Sequence, residues 1–114
     1  MAKQRHAFDL WAYVIMPEHV HLLVWPKEAV SISDLLSAVK QSVAKRVCLW
    51  APSARPSLFD CMADKRPDGR VVRRFWLRGP GYDHNLWTPC EIHEKIRYIH
   101  ANPVRRGLVR HPQD

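Results

Sequence analysis

An α+β domain is the fold class this 114-residue sequence predicts. Three observations carry that reading. Two adjoining runs of branched and aromatic residues flank Pro17-Glu18, a segment after Ser31 repeats its apolar positions every three or four residues, and a sharply bounded helix signal begins at Thr88. The length suits one domain with a single modest core. With 46% hydrophobic residues, nine prolines and four glycines, the composition is that of a compact chain with proline-rich loops rather than a disordered one.

The first run, Phe8 to Met16, reads as a strand, Pro17-Glu18 as a turn and His19 to Trp25 as a returning strand, which together make a β-hairpin. Strand side chains alternate, so His19 and His21 project from one face while Val20, Leu22 and Val24 take the other. The run Val20 to Val24 is apolar enough for a buried central strand. Two imidazoles on one face suit a divalent metal, or simple hydrogen bonding at a sheet surface; the spacing does not choose between these.

Ser31 or Ser33 can cap a helix of about four turns whose stripe is Leu35, Leu36, Val39, Val43 and Val47, with Lys40 and Lys45 off it. Residues 51–70, with Pro52, Pro56, Pro67 and Gly69, read as a long loop. Val71 to Leu77 reads as a third strand, stopped by Gly79-Pro80-Gly81. The last helix starts at a capping box, Thr88-Pro89-Cys90-Glu91, and its predicted end is Asn102-Pro103, because a residue before proline is driven out of the α region. At about 100° per residue, Ile92, Ile96 and Ile99 form its apolar stripe. Tyr98 lies off that stripe, on the side of Glu91, Glu94, Lys95 and Asn102. Packed on the histidine-bearing face, this helix would bring His19, His21, Tyr98 and Asn102 together.

The formal net charge of +7 points to a polyanionic partner. Across residues 65–78, Lys65, Arg66, Arg70, Arg73, Arg74 and Arg78 face only Asp68 and run into Phe75-Trp76. Arginines beside aromatics suit single-stranded or hairpin nucleic acid. Lys40, Arg73, Arg74, Trp76 and Arg78 are therefore DNA-contact candidates, joined by Arg97, Arg105 and Arg106 around the last helix. His84 and His100 are weaker site candidates: His100 lies on another helix face, which makes it a poor ligand, and His84 stays outside the metal set. Cys48, Cys61 and Cys90 are odd in number and widely spaced, which suggests reduced thiols rather than disulfides or a zinc finger. Neither a membrane span nor a signal-peptide core is visible, so the expected compartment is the cytoplasm.

Three segments carry a family pattern: Ala12-Tyr-Val-Ile-Met-Pro-Glu-His-Val-His-Leu-Leu-Val24, the basic run with Phe75-Trp76, and Tyr98-Ile-His-Ala-Asn-Pro-Val-Arg-Arg-Gly-Leu-Val109. In this order they resemble the IS200-like single-tyrosine transposases, in particular the branch associated with repetitive extragenic palindromes, and they cover most of residues 8–109. The resemblance implies one ferredoxin-like HUH domain over residues 1–114, with an antiparallel sheet and packed helices. Family members carry a further strand and helix ahead of the segment that starts here near Phe8, so the usual first strand and helix are expected to be lacking. A start assigned too far downstream, a decayed copy and a partner chain that fills the gap all fit that departure.

For chemistry, the resemblance implies a DNA transposase of a mobile element. Tyr98 would cleave and rejoin single-stranded hairpin DNA through a 5′-phosphotyrosine, with Mg²⁺ or Mn²⁺ held by His19, His21 and Asn102, in a homodimer that exchanges catalytic helices. Two other functions use the same residues. One is a non-catalytic or decayed hairpin-DNA-binding protein; the other is a metal-dependent nuclease that activates water and makes Tyr98 dispensable.

Overall fold

The computed structural model describes residues 8–27 and 31–114, and among these residues it is an α+β fold with two antiparallel two-stranded sheets and three helices. The elements run β1 (Phe8–Ile15), β2 (Val20–Pro26), α1 (Ile32–Ala54), α2 (Pro56–Cys61), β3 (Ala63–Lys65), β4 (Val71–Arg73) and α3 (Pro89–Arg105). They divide into two units. One unit holds residues 31–81, and the other holds the hairpin and residues 82–114.

In the second unit β1 and β2 form the predicted hairpin, closed by Met16 N–H donating to the His19 carbonyl at 2.8 Å. A bulge at Trp11 resets the register, after which Ala12 pairs with Leu23 and Val14 with His21. Ala12 is buried on that face, whereas Tyr13, Ile15 and Leu22 on the other are exposed. Trp11 and Trp25 stack with ring centres 5.5 Å apart. Among the described residues the expectation of a buried central strand is not met: β2 pairs there with β1 alone, and none of its residues is buried. Apolar composition alone does not report how many strands flank a run.

Helix α3 packs on the hairpin, mainly against β1, and its buried residues are Ile99 and Asn102. Its capping box is complete. Thr88 Oγ1 accepts from Glu91 N–H at 3.2 Å, and Glu91 Oε2 accepts from the backbone N–H of Thr88 and Trp87, both at 2.8 Å. Those two backbone donors hold the Glu91 carboxyl below the usual carboxylate range. Thr88→Ala should therefore lower stability by about 1 kcal/mol, read as a lower urea midpoint at unchanged slope.

The helix does not stop at Asn102-Pro103. Proline removes one hydrogen bond without ending a helix when it sits in the final turn, and α3 runs on to Arg105. Its end is set by Gly107, at φ 68°, whose N–H donates to the Val104 carbonyl while Leu108 N–H donates to the Pro103 carbonyl, both at 2.9 Å. That left-handed terminus is a glycine stop.

In the first unit α1 is a 23-residue helix, longer than the predicted four turns, because Pro52 again falls in a last turn. Arg55, with φ −148° and ψ 71°, separates it from α2, as expected of a residue before Pro56, which then occupies the favoured first position of α2. The segment 51–70 is thus helix, turn and strand rather than a loop. Residues 66–70 form a tight hairpin turn: Gly69 N–H donates to the Arg66 carbonyl at 2.9 Å, Arg66 N–H to the Arg70 carbonyl at 2.8 Å, and Gly69 has φ 84°.

The predicted strand Val71 to Leu77 shrinks to β4 for a related reason. Its last cross-strand bond is Arg74 N–H to the Met62 carbonyl at 2.9 Å. Upstream of Met62 the partner backbone is helical and spends its polar groups within α2. Trp76 instead donates its indole N–H to the Lys40 carbonyl of α1 at 2.9 Å, and Lys40 Nζ donates to the Gly79 carbonyl at 3.2 Å.

Candidate functional site

The two imidazoles meet because the turn sets His19 beside the first residue of β2. Two positions on, His21 projects from the same face. Their Nε2 atoms are 3.0 Å apart, and the rings are edge to face at 4.7 Å. The His21 ring in turn meets the Tyr98 ring edge-on at 5.7 Å. His19, His21 and Tyr98 are therefore continuous in space.

Tyr98 is 42% exposed. Two cations of its own helix attend its ring: Arg105 lies 4.6 Å from the ring centre and Lys95 5.1 Å. With His84, Leu86, Glu91 and Glu94, Lys95 and Tyr98 line an open depression. His100 is exposed and not in that lining, in accord with its place on another face.

Asn102 is 7% exposed, the sole buried polar residue among those described. Four residues beyond Tyr98, it stays on that side of the helix by angle while also joining Ile99 in the buried seam. Its amide is not sealed off, since Arg66 Nε is the only buried side-chain nitrogen or oxygen without a partner among the described residues.

A divalent ion can be weighed against these donors. Ligands at right angles on bonds of about 2.1 Å stand roughly 3 Å apart, which is the separation of the two Nε2 atoms. Among the described residues no cluster of three His, Cys, Asp or Glu could hold an ion. A third protein donor would have to be of another kind, and a buried amide on α3 is one.

Burial, with smaller contributions from His19 and Lys95, holds the His21 pKa below the usual histidine value. The folded metal-free protein thus binds this proton less readily than the unfolded chain. Its contribution to stability is complete above the unfolded value near 6.5 and is lost as pH falls through the lower folded value. Urea midpoints should accordingly fall as pH drops from 7 toward 5, and His21→Gln should flatten that slope.

The arginine-rich run is less available than its sequence suggested. Asp64, one residue before the basic window, accepts from Arg74 Nε at 2.5 Å and Arg78 Nη2 at 2.9 Å, and these bonds, Arg78 first, hold its carboxyl below the usual range. Arg73 donates to the Phe59 carbonyl at 2.8 Å and lies 4.3 Å from the centre of that ring. Arg70 pairs with Asp68, while Lys40 and Trp76 hold the contacts described above. Each of these candidates has a structural task within its own unit. On α3, Arg97 is exposed, Arg105 covers Tyr98, and Arg106 pairs with Glu18. Glu18 was not singled out as a site residue; its one signal was its place directly before His19.

The family profile described as "Transposase IS200 like" matches residues 1–59, a span that includes His19 and His21 and ends before α3. No curated protein and no solved structure matches the chain.

Proposed function

The chain belongs to the IS200-like transposase family, and we propose that it cleaves and rejoins single-stranded DNA at a hairpin through a covalent bond to Tyr98. The observation that carries this reading is the contact of Tyr98 with the His21 ring at 5.7 Å, beside a second imidazole 3.0 Å from the first. A phenol next to two convergent metal-type donors is the equipment of phosphoryl transfer to a side chain.

Tyr98 Oη would attack the scissile phosphorus in line. The P–O bond to the 3′ oxygen breaks as the Tyr98–phosphorus bond forms, leaving a 5′-phosphotyrosine and a free 3′-hydroxyl. The bond is exchanged rather than hydrolysed, so the reverse attack reseals DNA without ATP. His19, His21 and the Asn102 amide oxygen would hold Mg²⁺ or Mn²⁺, which when bound polarises a phosphate oxygen. Imidazole donors favour Mn²⁺ on ligand type.

Arg105 and Lys95 put positive charge beside the phenol, where phosphate negative charge must come. Arg97 and, in the other unit, the basic residues of the β3–β4 region are the remaining DNA contacts in this reading. A homodimer and a cytoplasmic setting belong to the same proposal, as does kinship with the palindrome-associated branch. No helix among the described residues is long and apolar enough to cross a membrane.

The test is incubation of the purified protein with hairpin single strands labelled at either end, in Mn²⁺, followed by denaturing gels. An adduct that retains the DNA downstream of the nick supports the proposal. Cleavage without any adduct would replace it with a hydrolytic nuclease, and binding alone, by folded protein, with a DNA-binding relic.

A further inference from the structure

The Glu18 carboxylate joins two elements that the sequence separates by most of its length. Its Oε1 accepts from His19 Nδ1 at 3.0 Å and from Arg106 Nη1, which reaches it from the C-terminal end of α3. An exposed carboxylate beside an exposed histidine ordinarily rotates freely, and such a pair by itself contributes little. Arg106 restricts that freedom by giving the carboxylate a second partner, carried by the residue that caps the Tyr98 helix and whose backbone N–H donates to the Asn102 carbonyl at 3.1 Å. The shared oxygen therefore ties the histidine turn to the end of α3.

The proton positions follow. A neutral imidazole carries one N–H, so a His19 that donates from Nδ1 has its lone pair on Nε2. Across the 3.0 Å contact the donor must then be His21 Nε2–H. The two histidines are unequal: His19 is already in the tautomer a metal accepts, whereas His21 has to move its proton from Nε2 to Nδ1 or release it. We propose that Glu18, held by Arg106, is the positioning residue that sets the His19 tautomer and aims its Nε2 at the metal position, and that Arg106 serves this task rather than gripping DNA. The inference rests on the metal site proposed above. It follows the general pattern in which a carboxylate behind a ligating imidazole fixes ring and proton.

The experiment uses the full chain, metal-free, with ¹⁵N-labelled histidine, and reads tautomers from long-range ¹H–¹⁵N correlations at pH 8. Wild type should show His19 as Nδ1–H and His21 as Nε2–H. Glu18→Ala should release His19 to a mixture of tautomers, Glu18→Gln should keep Nδ1–H because an amide oxygen still accepts, and Arg106→Ala should give an intermediate spectrum. Mn²⁺ titrations followed by electron paramagnetic resonance should show about 10- to 100-fold weaker binding for Glu18→Ala, near-wild-type binding for Glu18→Gln, and a new His21 tautomer in the diamagnetic Mg²⁺ or Zn²⁺ form. A protein merely loosened at this turn would lose thermal stability without this split between Ala and Gln. Wild-type His19 carrying its proton on Nε2, or a tautomer indifferent to Glu18→Ala, would overturn the proposal. If wild type binds no Mn²⁺ while the tautomers behave as stated, the metal reading falls and the role of Glu18 in setting the imidazole stands.

Discussion

Tyr98→Phe is expected to abolish the covalent DNA adduct and to reduce strand cleavage by at least about 10³-fold, because the attacking oxygen is removed and no neighbouring group supplies another. The substitution is unusually clean. The contacts of Tyr98 with His21, Arg105 and Lys95 all involve the ring, which phenylalanine retains, and the residue is 42% exposed. The melting midpoint and Mn²⁺ affinity should stay near those of wild type. Activity lost with folding and metal binding intact would locate the defect in the chemical step. Cleavage at undiminished rate in the mutant would require water as the nucleophile and would overturn the tyrosine mechanism.

Ile99→Ala should produce the largest loss of stability, about 2–5 kcal/mol. Ile99 is 2% exposed and is the largest fully buried side chain among the described residues. A two-stranded hairpin is marginal in water and needs a packed neighbour. For β1–β2 in its own unit that neighbour is α3, with Ile99 and Asn102 as the buried residues of the helix. The cavity should undock α3 and with it the contact between Tyr98 and His21. With the other tryptophans replaced by phenylalanine, fluorescence can follow the two units separately: a urea titration should show the Trp11–Trp25 pair of the hairpin changing before Trp76 of the other unit. Ile99→Val, which removes one methylene, should cost about 1 kcal/mol and leave the order of the transitions unchanged. A shift below about 1 kcal/mol for alanine would mean that α3 is anchored by something other than this side chain.

What the sequence made legible was local and symmetrical in its cues. The hairpin followed from two runs about a Pro-Glu turn, and α3 from a capping box whose every bond is present. The pairing of His19 with His21, and the exposure of Tyr98 beside a buried Ile99, followed from periodicity. Where the reading failed, a single residue had been given too much weight. Pro52 suggests a loop and Pro103 a helix end, yet both sit in final turns, where few hydrogen bonds remain to be broken. The basic window opened one residue too late to include Asp64, which binds two of its arginines. Glu18 was read as part of a turn, because no periodicity in residues 17–19 could reveal an arginine arriving from position 106. The angle that sets Asn102 on the side of Tyr98 says nothing of its burial, which depends on which seam of α3 the hairpin covers.

The contacts of Lys40 with Trp76 and Gly79 have a polymer-physical consequence for the site. The hairpin and α3 are joined through roughly 60 intervening residues, and bringing the ends of such a connection together costs entropy that grows with the logarithm of its free length. By cinching the chain between Lys40 and Trp76, those two hydrogen bonds shorten the connection to roughly 25 residues, which for a flexible chain of these lengths is a saving of about 0.8 kcal/mol in closure entropy. One indole N–H, lying in a different unit from every candidate catalytic residue, thereby raises the effective concentration of Tyr98 at the histidines before the two have ever met.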